Sequence, residues 1–362
     1  MKAIITAGGR GTRLRPLTFT LNKHLVPIAN KPMIFFALEK IAHAGIKEVG
    51  IIINPGDTEL PTQIGDGSTW GFKITYIPQE GGALGLAHAV ASAKKFVDNE
   101  PFLFYLGDNI VLTDLTFLID RFNRDNLSAL LAFSKVHDPQ RFGVPEFDGD
   151  KLVRVIEKPV NPTSDFAVTG IYIYSPDIFD AVSNIKPSHR GELEISDAHT
   201  WLLENEKAVS WEEITGWWKD TGKPEDLLEC NQLVLDNLDP PAGGWGTGEN
   251  ILMSASANIQ GRVSIGSNVT IGDNTLINGP TIIGDNCIVE NSYVGPYTSL
   301  GPNVKVFNTE IQNSIVLSGA DINAHANIVA SLIGTNAFIR SAKESIPLGH
   351  KLIVGDNSVL EL

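Results

Sequence analysis

Aliphatic residues recur every six positions through the C-terminal third of the chain: Ile259, Ile265, Ile271, Ile277, Ile283 and Val289. An α-helix repeats near 3.6 residues and an ordinary strand at 2, so neither accounts for this spacing. A hexad period predicts a left-handed parallel β-helix, in which each hexad forms one short side of a triangular coil and its aliphatic residue points inward. The fifth position of each hexad carries a second set, namely Val263, Val269, Thr275, Thr281, Cys287 and Tyr293. Gly266, Gly272 and Gly284 follow three of the isoleucines, where tight corners are expected. The frame slips by one at Val294, resumes at Leu300 and Val306, and loosens from Ile311.

The first part of the chain follows another rhythm. Lys2–Thr6, Val49–Ile53, Lys73–Ile77 and Phe102–Leu106 read as strands, and Met33–Ala44, Leu84–Phe96 and Leu115–Asn123 as helices. This alternation predicts an α/β fold, a Rossmann-like, mainly parallel mixed sheet with helices on both faces. Ligands of such sheets sit beyond the carboxyl ends of the strands. Asp236–Asn250, rich in proline and glycine, can continue neither a helix nor a central strand. The expected division is therefore an α/β domain over 1–235, a linker over 236–250 and a β-helix over 251–362.

Composition narrows the function classes. Lys and Arg number 28 against 42 Asp and Glu, a formal net charge of −14. Such acidity argues against broad attraction to nucleic acid or anionic lipid, while leaving room for a local basic pocket. Cys230 and Cys287 make neither a disulfide framework nor a metal-ligand spacing. No apolar run reaches the roughly 18 residues of a membrane span. The expectation is a cytoplasmic protein with small-molecule substrates and no nucleic-acid or membrane partner.

The loop after the first strand, Ala7-Gly8-Gly9-Arg10-Gly11-Thr12-Arg13-Leu14, places three glycines in four positions beside two arginines. Bare backbone N–H groups and guanidinium charge suit a polyphosphate. No Gly-Lys-Ser/Thr closes the loop as in a Walker A motif, and Leu14 stands where a dinucleotide fingerprint needs its third glycine. On motif logic alone a tight turn with surface arginines stays open.

GGRGTRLRPLT at Gly8–Thr18, Lys23, and PIANKPMI at Pro27–Ile34 resemble the sugar-phosphate nucleotidyltransferases, and within them the glucose-1-phosphate thymidylyltransferases. GDGSTWG at Gly65–Gly71, GLAHA at Gly85–Ala89, LGDN at Leu106–Asn109 and RFGVPEFD at Arg141–Asp148 follow in the family's order. So do EKP at Glu157–Pro159, AVTGIYIY at Ala167–Tyr174, RGELEISD at Arg190–Asp197 and WKDTG at Trp218–Gly222. The resemblance covers roughly residues 1–235, and the β-helical extension resembles the family's long form.

The resemblance implies transfer of a nucleotidyl group from dTTP, or UTP, to α-D-glucose 1-phosphate with release of pyrophosphate. It further implies Mg²⁺ as cofactor, held by Asp108 and Asp220 between the two phosphates. A phosphate monoester is already largely dianionic at pH 7, so cations and metal-holding carboxylates are needed more than a general base. By the same resemblance Gly8, Gly9, Gly11, Thr12, Arg13, Gln79 and Gly85 bind the nucleotide. Arg13 and Lys23 face the triphosphate and leaving pyrophosphate; Lys158 and Arg190 grip the sugar phosphate. Gly107, Gly143, Glu157, Val168 and Tyr172 match hexose contacts, Glu157 as an acceptor for two adjacent hydroxyls. Between Gln79 and Gly85 the chain has one residue more than the short-form pattern. Arg10 and Arg15 read as solvated surface groups.

Three rival readings belong beside this one. The first is a uridylyl-, guanylyl- or cytidylyltransferase of the same fold; the second is a non-catalytic regulatory subunit, against which the full set of cations and acids argues. The third is a second, acyl-transfer activity in the β-helix through His325 or His350. A structural β-helix that assembles a homo-oligomer is the simpler expectation.

Overall fold

The computed structural model describes residues 1–82, 84–238, 248–341 and 354–361. The chain forms two compact units, one made of Met1–Arg10, Asn22–Leu25 and Met33–Asp220, the other of Gly11–Leu21, Val26–Pro32 and the chain from Thr221 onward. Strands run in chain order as β1 (Lys2–Thr6), β2 (Pro27–Ile28), β3 (Lys31–Pro32), β4 (Glu48–Ile53), β5 (Lys73–Pro78) and β6 (Phe102–Leu106). They continue as β7 (Asn109–Val111), β8 (Ala129–Lys135), β9 (Gly143–Asp148), β10 (Lys151–Glu157), β11 (Phe166–Tyr174), β12 (Val209–Glu213) and β13 (Trp218–Asp220). The helices are α1 (Met33–His43), α2 (Glu59–Ile64), α3 (Leu86–Ser92), α4 (Lys94–Val97), α5 (Thr116–Arg124), α6 (Asp177–Asn184), α7 (Ile195–Glu204) and α8 (Pro224–Asp236).

The first unit is built on a seven-stranded sheet ordered β12-β8-β11-β6-β1-β4-β5. Its pairings are parallel except around β11, which runs antiparallel to both β6 and β8. The strands predicted at residues 2–6, 49–53, 73–77 and 102–106 are all present. The helix predicted over Leu84–Phe96 is instead two pieces, α3 and α4, parted at Ala93. β6, β1 and β4 are buried almost throughout, as their continuous apolar runs require.

The core behind β11 contains a titratable group. His199 of α7 is fully buried, its Nε2 2.6 Å from the Tyr174 hydroxyl and its Nδ1 without a hydrogen-bond partner. Burial alone drops its pKa to about 3. The unfolded chain therefore binds a proton that the folded chain refuses as pH falls from the ordinary value near 6.5 toward 3. Stability falls across that window by about 1.4 kcal/mol per pH unit from this group alone. His199→Gln is expected to flatten the dependence by about that slope in denaturant unfolding at pH 7, 6 and 5; parallel curves for the two proteins would contradict the assignment.

Among the described residues of the second unit, strands of successive coils stack into three parallel sheets of six, five and five strands, the three faces of the β-helix. Ile265 pairs with Ile283, then Leu300, Val316 and Ile333, each buried in the coil. Ile277 pairs with Val294, one residue short of three full hexads, so the sequence slip is a shortened coil in unbroken register. The shortening falls ahead of Val294: buried Ser292 takes the inward place predicted for Tyr293, whose ring turns outward with its hydroxyl 3.3 Å from Asn278 Nδ2. Ile311, Val316 and Ile322 remain inward, so the stack stays regular past Ile311.

Corners differ from expectation as well. The left-handed backbone is taken by Asn268, Asn274, Asn286 and Asn303, with φ between 51° and 61°. Asparagine tolerates that region because its short amide can bond locally, and here Asn250, Asn268 and Asn286 bond in a column at 3.1 and 3.3 Å. Gly266 serves close approach instead: a Cβ there would lie 2.7 Å from the Asp285 backbone nitrogen.

α8 packs in this unit on the β2–β3 hairpin and on the coil strand Thr298–Leu300. Buried Asn231 of α8 joins all three. Its Oδ1 accepts from Ala29 N at 2.9 Å and Ser299 Oγ at 2.7 Å, and its Nδ2 donates to Tyr297 O at 2.9 Å. Among the described residues no helix is long and apolar enough to cross a membrane.

Candidate active site

Strands β1, β4, β5 and β6 end in register, which brings Gly8, Gln79 and Gly107–Asp108 to one edge of the first unit's sheet. Gly107 has no room for a side chain, since a Cβ would lie 2.6 Å from Thr6 O. Asp108 is ion-paired with Lys23, whose side chain is only 7% exposed. Burial pushes the Asp108 carboxyl up, but the Lys23 ammonium, by its charge and its hydrogen bond, outweighs burial and holds the carboxyl below the usual carboxylate range. The turn bearing Lys23 is anchored on the far side, where Asn22 N meets Glu59 Oε2 and Asn22 Nδ2 meets Asp57 Oδ2, each at 3.0 Å. His24 is buried beside it with its pKa lowered to about 4, chiefly by desolvation. Its Nδ1 lies 3.0 Å from Asn22 Oδ1, an acceptor, so the ring is neutral with its proton on Nδ1.

β13 pairs antiparallel with β7 and sets Asp220 opposite Asn109, next in sequence to Asp108. Trp218 Nε1 donates to Thr169 O at 2.9 Å, fastening β13 to the irregular middle of β11. There Gly170 has φ 76°, and a Cβ would press on Leu106 at 2.6 Å from Cγ. Among the described residues no three His, Cys, Asp or Glu side chains gather as a complete cation cage. One carboxylate in the β6–β7 turn and one at the end of β13, the first held below the usual carboxylate range, still fit a hard divalent ion whose other ligands are phosphate and water oxygens.

The sugar-phosphate residues assemble around β9 and β10, where Gly143 pairs with Glu157. A Cβ on Gly143 would lie 2.7 Å from Ser196 Oγ, 2.9 Å from Val168 and 3.3 Å from Glu157 Oε2. Ser196 donates to Glu157 Oε2 at 2.8 Å, while Lys158 and Arg190 approach Glu157 Oε1 at 3.4 and 3.6 Å. Arg190 also meets buried Glu194 at 3.3 Å, and Ser188 Oγ donates to that carboxylate at 2.8 Å. Tyr172 sits deeper, fully buried, stacked on Phe104 and edge-on to His199. Ser196, Glu194 and His24 were not singled out from sequence; each lies in or beside a recognised block, but no period or spacing marks it.

On the nucleotide side, Gln79 is buried and its Oε1 would lie 3.4 Å from a Cβ on Gly8. Gly85 has φ 106°, and a Cβ there would meet Leu193 N at 2.6 Å. Gly11, Thr12 and Arg13 belong to the second unit. Gly11 is left-handed and opens the turn Thr12–Leu14, with Arg13 exposed. Arg10 is exposed as expected; Arg15 is instead half-buried, stacked 4.8 Å over Phe19. His325 is an exposed turn residue with φ 46°, and His350 lies outside the described residues. A cleft of about 840 Å³ at β12, bordered by Arg121, Lys151 and Trp211, shares no lining residue with this site.

Residues 2–237 match the family model described as nucleotidyl transferase, and residues 262–294 match the hexapeptide repeat of succinyl-transferase. A low-salt glycan biosynthesis nucleotidyltransferase of Haloferax volcanii is 47% identical over 100% of both chains. A glucose-1-phosphate thymidylyltransferase of Streptomyces griseus is 43% identical over 99% of this chain and 98% of its own. A solved Bacillus anthracis structure described as a glucose-1-phosphate thymidylyltransferase superposes with a TM-score of 0.62 at 36% identity, covering 67% of this chain and 98% of that one. With the match spanning the whole first sheet and two relatives aligned almost end to end, the chain belongs to the nucleotidyl transferase family.

Proposed function

We propose that this protein transfers a thymidylyl group from dTTP to α-D-glucose 1-phosphate, giving dTDP-glucose and pyrophosphate. The observation that carries the reading is the pairing of two charge clusters in one unit: Asp108 with Lys23, and Glu157 with Lys158 and Arg190. A sugar-phosphate oxygen forms a bond to the α-phosphorus as the α–β bridging bond breaks and pyrophosphate leaves. Lys158 and Arg190 neutralise the attacking phosphate, and the forked guanidinium orients it. Glu157, its other oxygen held by Ser196, accepts from the hexose hydroxyls. Lys23 compensates Asp108 before substrates arrive and stands ready for charge developing on the leaving group. Asp108 and Asp220 would hold Mg²⁺, which would supply further neutralisation of phosphate charge. The β-helix is proposed to assemble the protein as a cytoplasmic homo-oligomer.

Pyrophosphate release measured for each NTP against several hexose 1-phosphates, with and without a chelator, tests the reading. The expected result is chelator-sensitive turnover of glucose 1-phosphate, with dTTP ahead of UTP by about fivefold, the worth of one methyl group at roughly 1 kcal/mol. A purine triphosphate preferred by the enzyme, or silence with every hexose phosphate, would refute it.

A further inference from the structure

The nucleotide edge contains a polar contact that the proposed chemistry does not use. Gln79 Nε2 lies 3.0 Å from Nδ1 of His88, on the first turns of α3. An amide nitrogen can only donate, so His88 Nδ1 accepts and the ring proton resides on Nε2. With the ring proton on Nε2, that contact holds the Gln79 amide with its nitrogen toward α3. With one Nε2–H spent on His88, Oε1 is turned toward Gly8 and the second Nε2–H stays available. The side chain thus offers one acceptor and one donor side by side. The imide edge of thymine or uracil, a ring N–H between two carbonyls, is the complement of that pair. Cytosine has an unprotonated ring nitrogen at the same place and would meet an acceptor with an acceptor.

We propose that His88 is a positioning residue that selects imide bases by locking the Gln79 amide in its acceptor-forward orientation. The inference rests on the reading that Gln79 faces the base. Without an acceptor on α3, the amide is free to rotate by half a turn, which exchanges its donor and acceptor and removes the penalty against cytosine. Burial of Gln79, 6% exposed, leaves no water shell to stabilise both orientations equally.

Steady-state kinetics of the full chain with dTTP, UTP and CTP test this on His88→Leu, His88→Asn and Gln79→Ala. His88→Leu is expected to raise KM for dTTP and UTP about tenfold and to cut discrimination against CTP by a similar factor. Its kcat and its KM for glucose 1-phosphate should stay within about twofold. Asparagine places an amide oxygen near the position of Nδ1, so His88→Asn should restore most of the preference. An unchanged dTTP-to-CTP ratio in His88→Leu, beside a raised nucleotide KM in Gln79→Ala, overturns the proposal alone. A Gln79→Ala variant with wild-type nucleotide KM overturns the reading beneath it as well. Should His88→Leu fail to fold, ¹⁵N spectra of the wild type at pH 8 decide: an unprotonated Nδ1 supports the lock, and a protonated Nδ1 defeats it.

Discussion

Asp108→Asn is expected to lower kcat by about a thousandfold or more while leaving the protein folded. The substitution keeps shape and removes one negative charge at the sheet edge where the two phosphates are proposed to meet. In a site shielded from water, losing a charge that acts on developing phosphate charge costs on the order of 10²–10³ per interaction. Loss of half of a two-carboxylate cation site adds to that. Weakened Mn²⁺ binding, read by titration of the variant, separates a metal role from a purely structural one. A second consequence follows from burial. Lys23 is 7% exposed and loses its counter-charge in the variant, and an unpaired buried charge costs several kcal/mol. Asp108→Asn should therefore melt lower than wild type, and adding Lys23→Met should recover much of the melting temperature without recovering turnover. Wild-type turnover in Asp108→Asn would remove the acid from the mechanism.

Gly85→Ala is expected to lower kcat/KM by about a hundredfold or more and to destabilise the fold by roughly 2–4 kcal/mol. Two effects add here. A φ of 106° is strained for any residue with a side chain, and a Cβ would press on both Leu193 N, at 2.6 Å, and Leu193 O. Neither backbone can retreat, because Leu193 N donates to Leu84 O at 2.8 Å and Ala87 N donates to Leu193 O at 3.0 Å. Displacing Leu193 moves its neighbour Glu194, which meets Arg190, so KM should rise for glucose 1-phosphate as well as for the nucleotide. Gly82 is the control: its φ is 87° but a Cβ would touch nothing within 4 Å, so Gly82→Ala should cost only about 1–2 kcal/mol of backbone strain. Equal damage at the two glycines would show that strain, not the clash with Leu193, decides.

Much of this architecture could be read before any coordinates. The hexads specified the coil and even its shortened turn, because an inward side chain every sixth residue is a packing requirement that few sequences meet by chance. Alternating apolar runs located β1, β4, β5 and β6 for the same reason. The inward place falls on Ser292 and not on Tyr293, since period alone cannot say where a missing residue is absorbed. Asparagine, not glycine, takes the left-handed corners at Asn268, Asn274 and Asn286, and Pro280 interrupts their six-residue step, so no unbroken period marks them. At the site, Asp108 and Lys23 were legible as motif members, whereas their ion pair depends on tertiary placement. Arg15 shows the reverse: a charge that looked solvated is stacked on an aromatic ring. Ser196, Glu194 and His88 act through other side chains, and no sequence spacing announces such a relation.

Asn231 bears on how the chain can be dissected. α8 precedes the Pro/Gly-rich stretch, yet its buried face, with Leu227, Val234 and Leu235, belongs to the same unit as the coils. A protein shortened at residue 250 would strip Asn231 of Ser299 and Tyr297 and leave an apolar helix face wet. Such a fragment should precipitate or cling to chaperones, and its silence in an assay would report poor solubility before it reported anything about chemistry.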